Sequence, residues 1–329
     1  MKRLESLSAV EREILYLTVM DAAAPAAKIA KKIGCKPHAV QAALAKFQAR
    51  DIISRRVMIN VFRLGYSLHS IYISLSVEGQ RFREEIAQHL ASYPATSVVL
   101  ELSGEYDFFV SLVVRDAPEL ARFNYELSER FSGAVLKKDV AVAVSNTEFG
   151  EKVLLPGDGL YSECTYSADQ EKHDVDFVDR RILDCISNET FSSSAQVARV
   201  LEIPPSTVEY RLRKLRERGI ICADLNELRG SEVGLCNYML LVGMKGFPSE
   251  THADFRAFLR KNPAVSSLSF EVGYWDYRLG VSVQAETEVA ALVCDMRQNF
   301  DTRIASVQTL PLFYAHKVRD YPFPPSEIE

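Results

Sequence analysis

The sequence predicts an α+β fold: two winged or helix-turn-helix domains alternate with two ferredoxin-like βαββαβ sensor domains. Three observations carry this. Residues recur at a near-constant offset. Apolar residues at helical spacing open each half. Alternating strands with two intervening helices fill the rest.

The repeat comes first. Ile14 and Leu15 find partners in Ile182 and Leu183, 168 residues later; Ile29-Ala30 pairs with Val197-Ala198 and Val40 with Val208 at the same offset. After one residue of slippage, Gly65 matches Gly234, Pro94 matches Pro263, Gly104 matches Gly273 and Asp107 matches Asp276, all 169 apart. The expected boundaries are 1–62 and 63–152 for the first unit and 176–230 and 231–322 for the second. Residues 153–175 are turn-rich and aperiodic, and read as a linker.

Each unit begins with three helices. Ser8 and Glu11 have the spacing of a capping box, and Leu7, Val10, Ile14 and Leu17 recur on one face. A second helix closes at Gly34, and Pro37 opens a third bearing Val40, Leu44 and Phe47. The second unit repeats the order, with Pro205 opening the third helix and Val208, Leu212 and Leu215 on its buried face. Ser206 and Glu209 have the spacing of a capping box there. Three short helices with a tight second turn describe a helix-turn-helix, whose third helix enters a major groove. In the second unit Ser206, Thr207, Tyr210, Arg211, Arg213, Lys214 and Arg218 are the expected DNA contacts. The first unit offers only His38, Gln41, Lys46 and Arg50, with Arg55 and Arg56 behind them as phosphate contacts.

After the helices, IYISLSV alternates apolar and polar residues; a helix over RFREEIAQHLASY, the strands VVLEL and FFVSLVV, a helix from Pro118 and a strand in VLKKDVAVAV follow. The second unit reads likewise from YMLLVGM to ASVQTLPLF. A sheet with helices on one face needs cover on the other. Pairing two such sheets supplies it, within one chain or between chains.

Bulk properties bound the function. The chain has 329 residues, 47% hydrophobic and 25% charged, an ordinary globular composition. No apolar run approaches the roughly 20 residues of a membrane span, and the charged start lacks a signal-peptide core, so a cytoplasmic location is expected. Six scattered cysteines with no C-x-x-C pair argue against a zinc site or disulfide framework. The net charge of −5 gives no whole-chain attraction for nucleic acid, so DNA binding needs a local basic surface.

These features resemble the Lrp/AsnC family of regulators in doubled form. The likeness rests on RLRKLRERGII, on Leu64-Gly65-Tyr66 with Val233-Gly234-Leu235, and on the hairpin turns Gly104-Glu105-Tyr106-Asp107 and Gly273-Tyr274-Trp275-Asp276. It implies double-stranded DNA as partner, homo-oligomers through the sensor domains and a small amino-acid-like effector, with no cofactor or metal. Carried over, the effector positions are Gly104, Tyr106, Asp107, Gly273, Trp275 and Asp276. Turn chemistry accounts for the same residue types without a ligand.

Two other functions stay open. A branch of this fold decarboxylates siroheme using His and Arg. Here the six histidines (His38, His69, His89, His173, His252, His316) do not repeat between units, and His69 and His316 lie near sensor strands. The other is a ligand- or protein-binding module without DNA contact, which the poor first head and the acidity favour.

Overall fold

The computed structural model describes residues 4, 7–155, 162–187, 193–246 and 249–323. Three helices open the chain: α1 (Ala9–Met20), α2 (Ala26–Ile33) and α3 (Pro37–Ala49). The Ser8 hydroxyl accepts from the Glu11 N–H at 3.2 Å and Glu11 accepts from the Ser8 N–H at 2.8 Å, the expected capping box. Val40, Ala43 and Phe47 of α3 are buried against Ile14 and Leu15 of α1 and Ile29 of α2. The second trio is α6 (Phe177–Ser187), α7 (Ser194–Leu201) and α8 (Pro205–Glu217). There Val208, Leu212 and Leu215 pack on Ile182, Leu183 and Val197.

Two local differences separate the trios. Gly34 closes α2 in a left-handed conformation (φ 81°); its equivalent Glu202 closes α7 with φ 56°, unusual for a residue with a side chain. The capping box expected at Ser206 and Glu209 does not form: α8 starts at Pro205 with no side-chain cap, and Glu209 accepts instead from the Ser194 hydroxyl at 3.4 Å. A proline at the first helical position already presets φ and has no N–H to cap, so Ser206 falls inside the helix.

After each trio comes a strand, β1 (Ile53–Ile59) and β7 (Ile221–Leu228). They pair antiparallel, with Ile53 opposite Leu228 and Arg56 opposite Leu225, and so tie the two heads together. Each leads into a 3-10 turn ending at Gly65 or Gly234, both left-handed (φ 85° and 80°), which is the structural role of the repeated glycine.

The first sensor unit is β2 (Ser67–Leu75), α4 (Arg83–Ser92), β3 (Thr96–Leu102), β4 (Phe108–Val114), α5 (Ala117–Arg130) and β5 (Val135–Glu148). The second is β8 (Cys236–Met244), α9 (Ser249–Lys261), β9 (Val265–Val272), β10 (Tyr277–Val283), α10 (Glu286–Phe300) and β11 (Ile304–Val318). Both have the βαββαβ order and the strand order fourth-first-third-second. The residues 153–175 expected as linker contain β6 (Cys164–Ser167), which pairs with β5; residues 156–161 of that segment lie outside the described residues.

The two sheets are covered as sheet chemistry requires, and within one chain. The second strand of each unit pairs with the last strand of the other, β3 with β11 and β9 with β5, and the β2–β5 pairing closes the ring. Outer faces bury Ile71, Ile73 and Val110 under Phe123 and Leu127 in the first unit, and Leu240 and Val242 under Phe255 and Met296 in the second. The inner faces meet over Tyr72, Phe109, Leu241, Trp275 and Leu310. Each such side chain taken out of water contributes about 1.5–3 kcal/mol.

Candidate nucleic-acid interface

The buried stripe of α8 dictates its outward face. With Val208, Leu212 and Leu215 turned inward, Ser206, Glu209, Tyr210, Arg213 and Arg216 face solvent and Thr207 is half-buried. Tyr210 is 50% exposed, and the Arg213 guanidinium lies 5.5 Å from its ring centroid. The ion pair of Arg213 with Glu217, at 3.8 Å on a 65% exposed side chain, is worth little in water. Lys214 pairs with Glu217 at 2.9 Å.

Arg211 and Arg218 sit differently from the expectation. Arg211 is turned back onto α6, bonded to Asp176 and, at 3.1 Å, to Asp179. Against the upward pull of burial, the Asp179 N–H and the Arg211 guanidinium hold the Asp176 carboxyl below its usual range. Arg218 donates to the Asp174 carbonyl at 3.3 Å. Both anchor α8 to the segment before α6.

Behind α8 lies a cleft of about 270 Å³ lined by Arg55, Ser193, Ser194, Arg213, Arg216 and Asp224 among others. Arg55 comes from the first unit. Asp224 bonds Arg55 at 2.8 Å and Arg216 at 3.0 Å, and these two guanidiniums hold its carboxyl below its usual range against the pull of burial. The β1–β7 ladder thus carries a first-unit arginine to the edge of α8, which the helix pattern alone did not indicate. The signal available was that Arg55 and Asp224 are equivalent positions, 169 apart. Arg56, the other expected phosphate contact, points the other way. It is 17% exposed and bonds Asp320 at 2.7 Å, with Glu148 and Glu227 each at 3.3 Å, where it neutralises the buried Asp320 carboxylate.

The first head is thinner. His38 and Gln41 are exposed on α3, and Lys46 is engaged by Glu11 at 2.6 Å, which draws the Glu11 carboxyl down despite burial.

The residues at the two hairpin turns come together. Tyr106 is fully buried and Trp275 is 5% exposed; the indole N–H donates to the Tyr106 hydroxyl at 3.4 Å, and that hydroxyl donates to Asp139 at 2.5 Å. Asp107 accepts from the Leu75 N–H at 2.6 Å, Gln80 at 2.9 Å and Arg83 at 2.5 Å, and Asp276 accepts from the Met244 N–H at 2.6 Å. Both aspartates therefore tie their hairpins to the end of the unit's first strand, and Asp107 also to Arg83 of α4. Gly104 and Gly273 are exposed, and a side chain at Gly273 would run into Ala141.

Of the two histidines near sensor strands, His69 shares a hydrogen bond with Ser67 at 3.0 Å, and burial lowers its pKa. His316 lies 2.9 Å from Glu101, which also bonds Arg83 at 2.6 Å. Among the described residues no group of three or more His, Cys, Asp or Glu could hold a metal ion, and no helix is long and apolar enough to cross a membrane.

The geometry defines a class: a winged helix-turn-helix with a basic, partly free third helix, joined to ferredoxin-like sheets. Residues 178–221 match the family of winged helix-turn-helix DNA-binding domains. The HTH-type transcriptional regulator AldR of Mycolicibacterium smegmatis is 28% identical over 146 residues, 44% of this chain and 85% of that protein. An uncharacterized HTH-type transcriptional regulator of Pyrococcus abyssi is 26% identical over 145 residues, 44% of this chain and 90% of that protein. The chain's homologues are HTH-type transcriptional regulators, the kind of protein that the Lrp/AsnC resemblance implies. The crystal structure of the siroheme decarboxylase NirDL is similar in fold across both chains: TM-score 0.60, 14% identity, 98% of each chain covered.

Proposed function

We propose that this chain is a doubled DNA-binding regulator whose second head is the main reader. The observation that carries the reading is the solvent-facing set Ser206, Tyr210, Arg213 and Lys214 on α8, inside the segment similar to winged DNA-binding domains. Arg213 and Lys214 meet phosphates or base edges, Ser206, Thr207 and Tyr210 supply hydrogen bonds near the helix start, and Arg55 and Arg216 reach the flanking backbone. His38 and Gln41 of the first head supply a weaker second contact. Arg211 acts through the orientation of α8.

The test is binding to the DNA upstream of the protein's own gene at two salt concentrations. Arg213→Ala should flatten the log–log salt slope by roughly one unit. An unchanged slope removes Arg213 from the interface, and no binding by the wild type removes DNA from the function.

The sensor units, in this reading, take a small amino-acid-like effector beside the Gly104–Asp107 and Gly273–Asp276 turns and assemble chains through their outer surfaces. A shift in melting temperature or assembly size with one member of an amino-acid panel supports it; a flat response to all of them argues against it.

The whole-chain fold likeness to NirDL favours a second reading, siroheme decarboxylation, with His316 beside Glu101 and Arg83 as the group to examine. A siroheme absorbance band that shifts on mixing with the protein, and weakens in His316→Ala, would support it. A spectrum equal to that of free siroheme would end it.

A further inference from the structure

The interface between the two sheets has two seats related by the internal repeat, and they differ in chemistry. In one, Ser70 and Tyr72 of the first unit donate to Glu271 of the second at 2.7 and 2.8 Å. Glu271 is fully buried and also takes Arg278 at 3.0 Å, whose guanidinium lies 4.5 Å from the Phe109 ring centroid. Strand register identifies the equivalents in the other seat. Tyr72 stands opposite Phe109 in the first unit as Leu241 stands opposite Arg278 in the second. Ala143 stands opposite Glu271 as Leu312 stands opposite Leu102. Ser70, Tyr72, Glu271 and Arg278 are thus replaced by Met239, Leu241, Leu102 and Phe109, and that seat is apolar.

A first-unit sheet closing on another first-unit sheet would bring Ser70 and Tyr72 against Leu102 and Phe109, twice, leaving buried hydroxyls unpaired. A second-unit pair would bury Glu271 and Arg278 beneath Met239 and Leu241, twice, with the carboxylate short of two donors. The ladder between the heads carries the same asymmetry independently. Arg55 bonds Asp224, its own equivalent, at 2.8 Å, so like pairing would set arginine against arginine and aspartate against aspartate.

We propose that these residues are a pairing code: the first-unit sheet accepts the second-unit sheet and rejects a copy of itself. The partner is the other half of the same chain, which tethering supplies at high effective concentration. Sensor units of different molecules therefore meet only through surfaces outside this ring.

The experiment starts from the full chain with a protease site placed within residues 156–161. The folded protein is cut, unfolded in urea, refolded by dilution and weighed by native mass spectrometry. Unlike pairs alone are expected. The variant S70M/Y72L/E271L/R278F, with Arg55→Ala and Asp224→Ala added to neutralise the ladder, makes the two seats alike, and first–first and second–second pairs should then appear. A statistical mixture of like and unlike pairs from the wild type overturns the proposal, as does strict unlike pairing by the variant. If the variant does not refold, the wild-type distribution decides alone.

Discussion

A single backbone position records how the two units diverged. Gly34 and Glu202 close equivalent helices in the left-handed region, at no steric cost in the first case and at about 1 kcal/mol in the second. Glu202→Gly should leave the fold intact and raise the thermal midpoint by an amount matching roughly 0.5–1 kcal/mol, read by calorimetry. A lowered midpoint would mean that the Glu202 side chain does more than occupy the turn. Glu151 offers a pH test. Burial pushes its carboxyl up to about 7, against the downward pull of Ser282. A folded-state pKa above the unfolded one contributes stability that is complete below about 4.5 and is lost as pH rises through about 7. Glu151→Gln should therefore match the wild type near pH 4 and exceed it at pH 8, by up to about 3 kcal/mol. Parallel stability curves for the two proteins across that range would contradict the assignment.

Elements were legible where periodicity is strong. The helix trios, both capping signals at α1 and Gly34, and all eight sensor strands follow from the spacing of apolar residues. The strands β1 and β7 were not, because Arg55 and Arg56 interrupt the alternation and pairing across the two heads is what stabilises them. Likewise β6 is only four residues long and forms because β5 outruns its own sheet. Helix spacing places Arg211 and Arg213 on one helix, and only the packing of α6 shows that Asp176 and Asp179 engage the first. The β1–β7 ladder makes its own prediction. Asp224→Asn should lower the melting temperature, since two arginines lose their shared, nearly buried carboxylate, and should steepen the salt dependence of DNA binding by roughly one unit as Arg55 or Arg216 turns to phosphate. A lower midpoint with an unchanged slope would restrict Asp224 to holding the ladder.

At the scale of the molecule, doubling was plain in the sequence, whereas whether the sheets close within or between chains was not, because an offset between similar residues carries no information on which copies touch. Closure through β3–β11 and β5–β9 makes the two sensor units one cooperative body. Leu279→Ala, a fully buried position of the second unit, should cost about 2–5 kcal/mol. It should also reduce hydrogen-exchange protection equally in β10 and in β4 of the other unit. Loss confined to β10 would show that the halves open separately.

Under the proposed function, the contrast between the thin α3 and the basic α8 has a consequence for the DNA. Two identical heads read a palindrome, and a palindrome looks the same from either end. Heads that differ read two dissimilar half-sites in a fixed sequence, so the preferred site has a left and a right. A protein working as proposed would then sit on its site facing one way, and reversing the site would turn it around without changing its affinity.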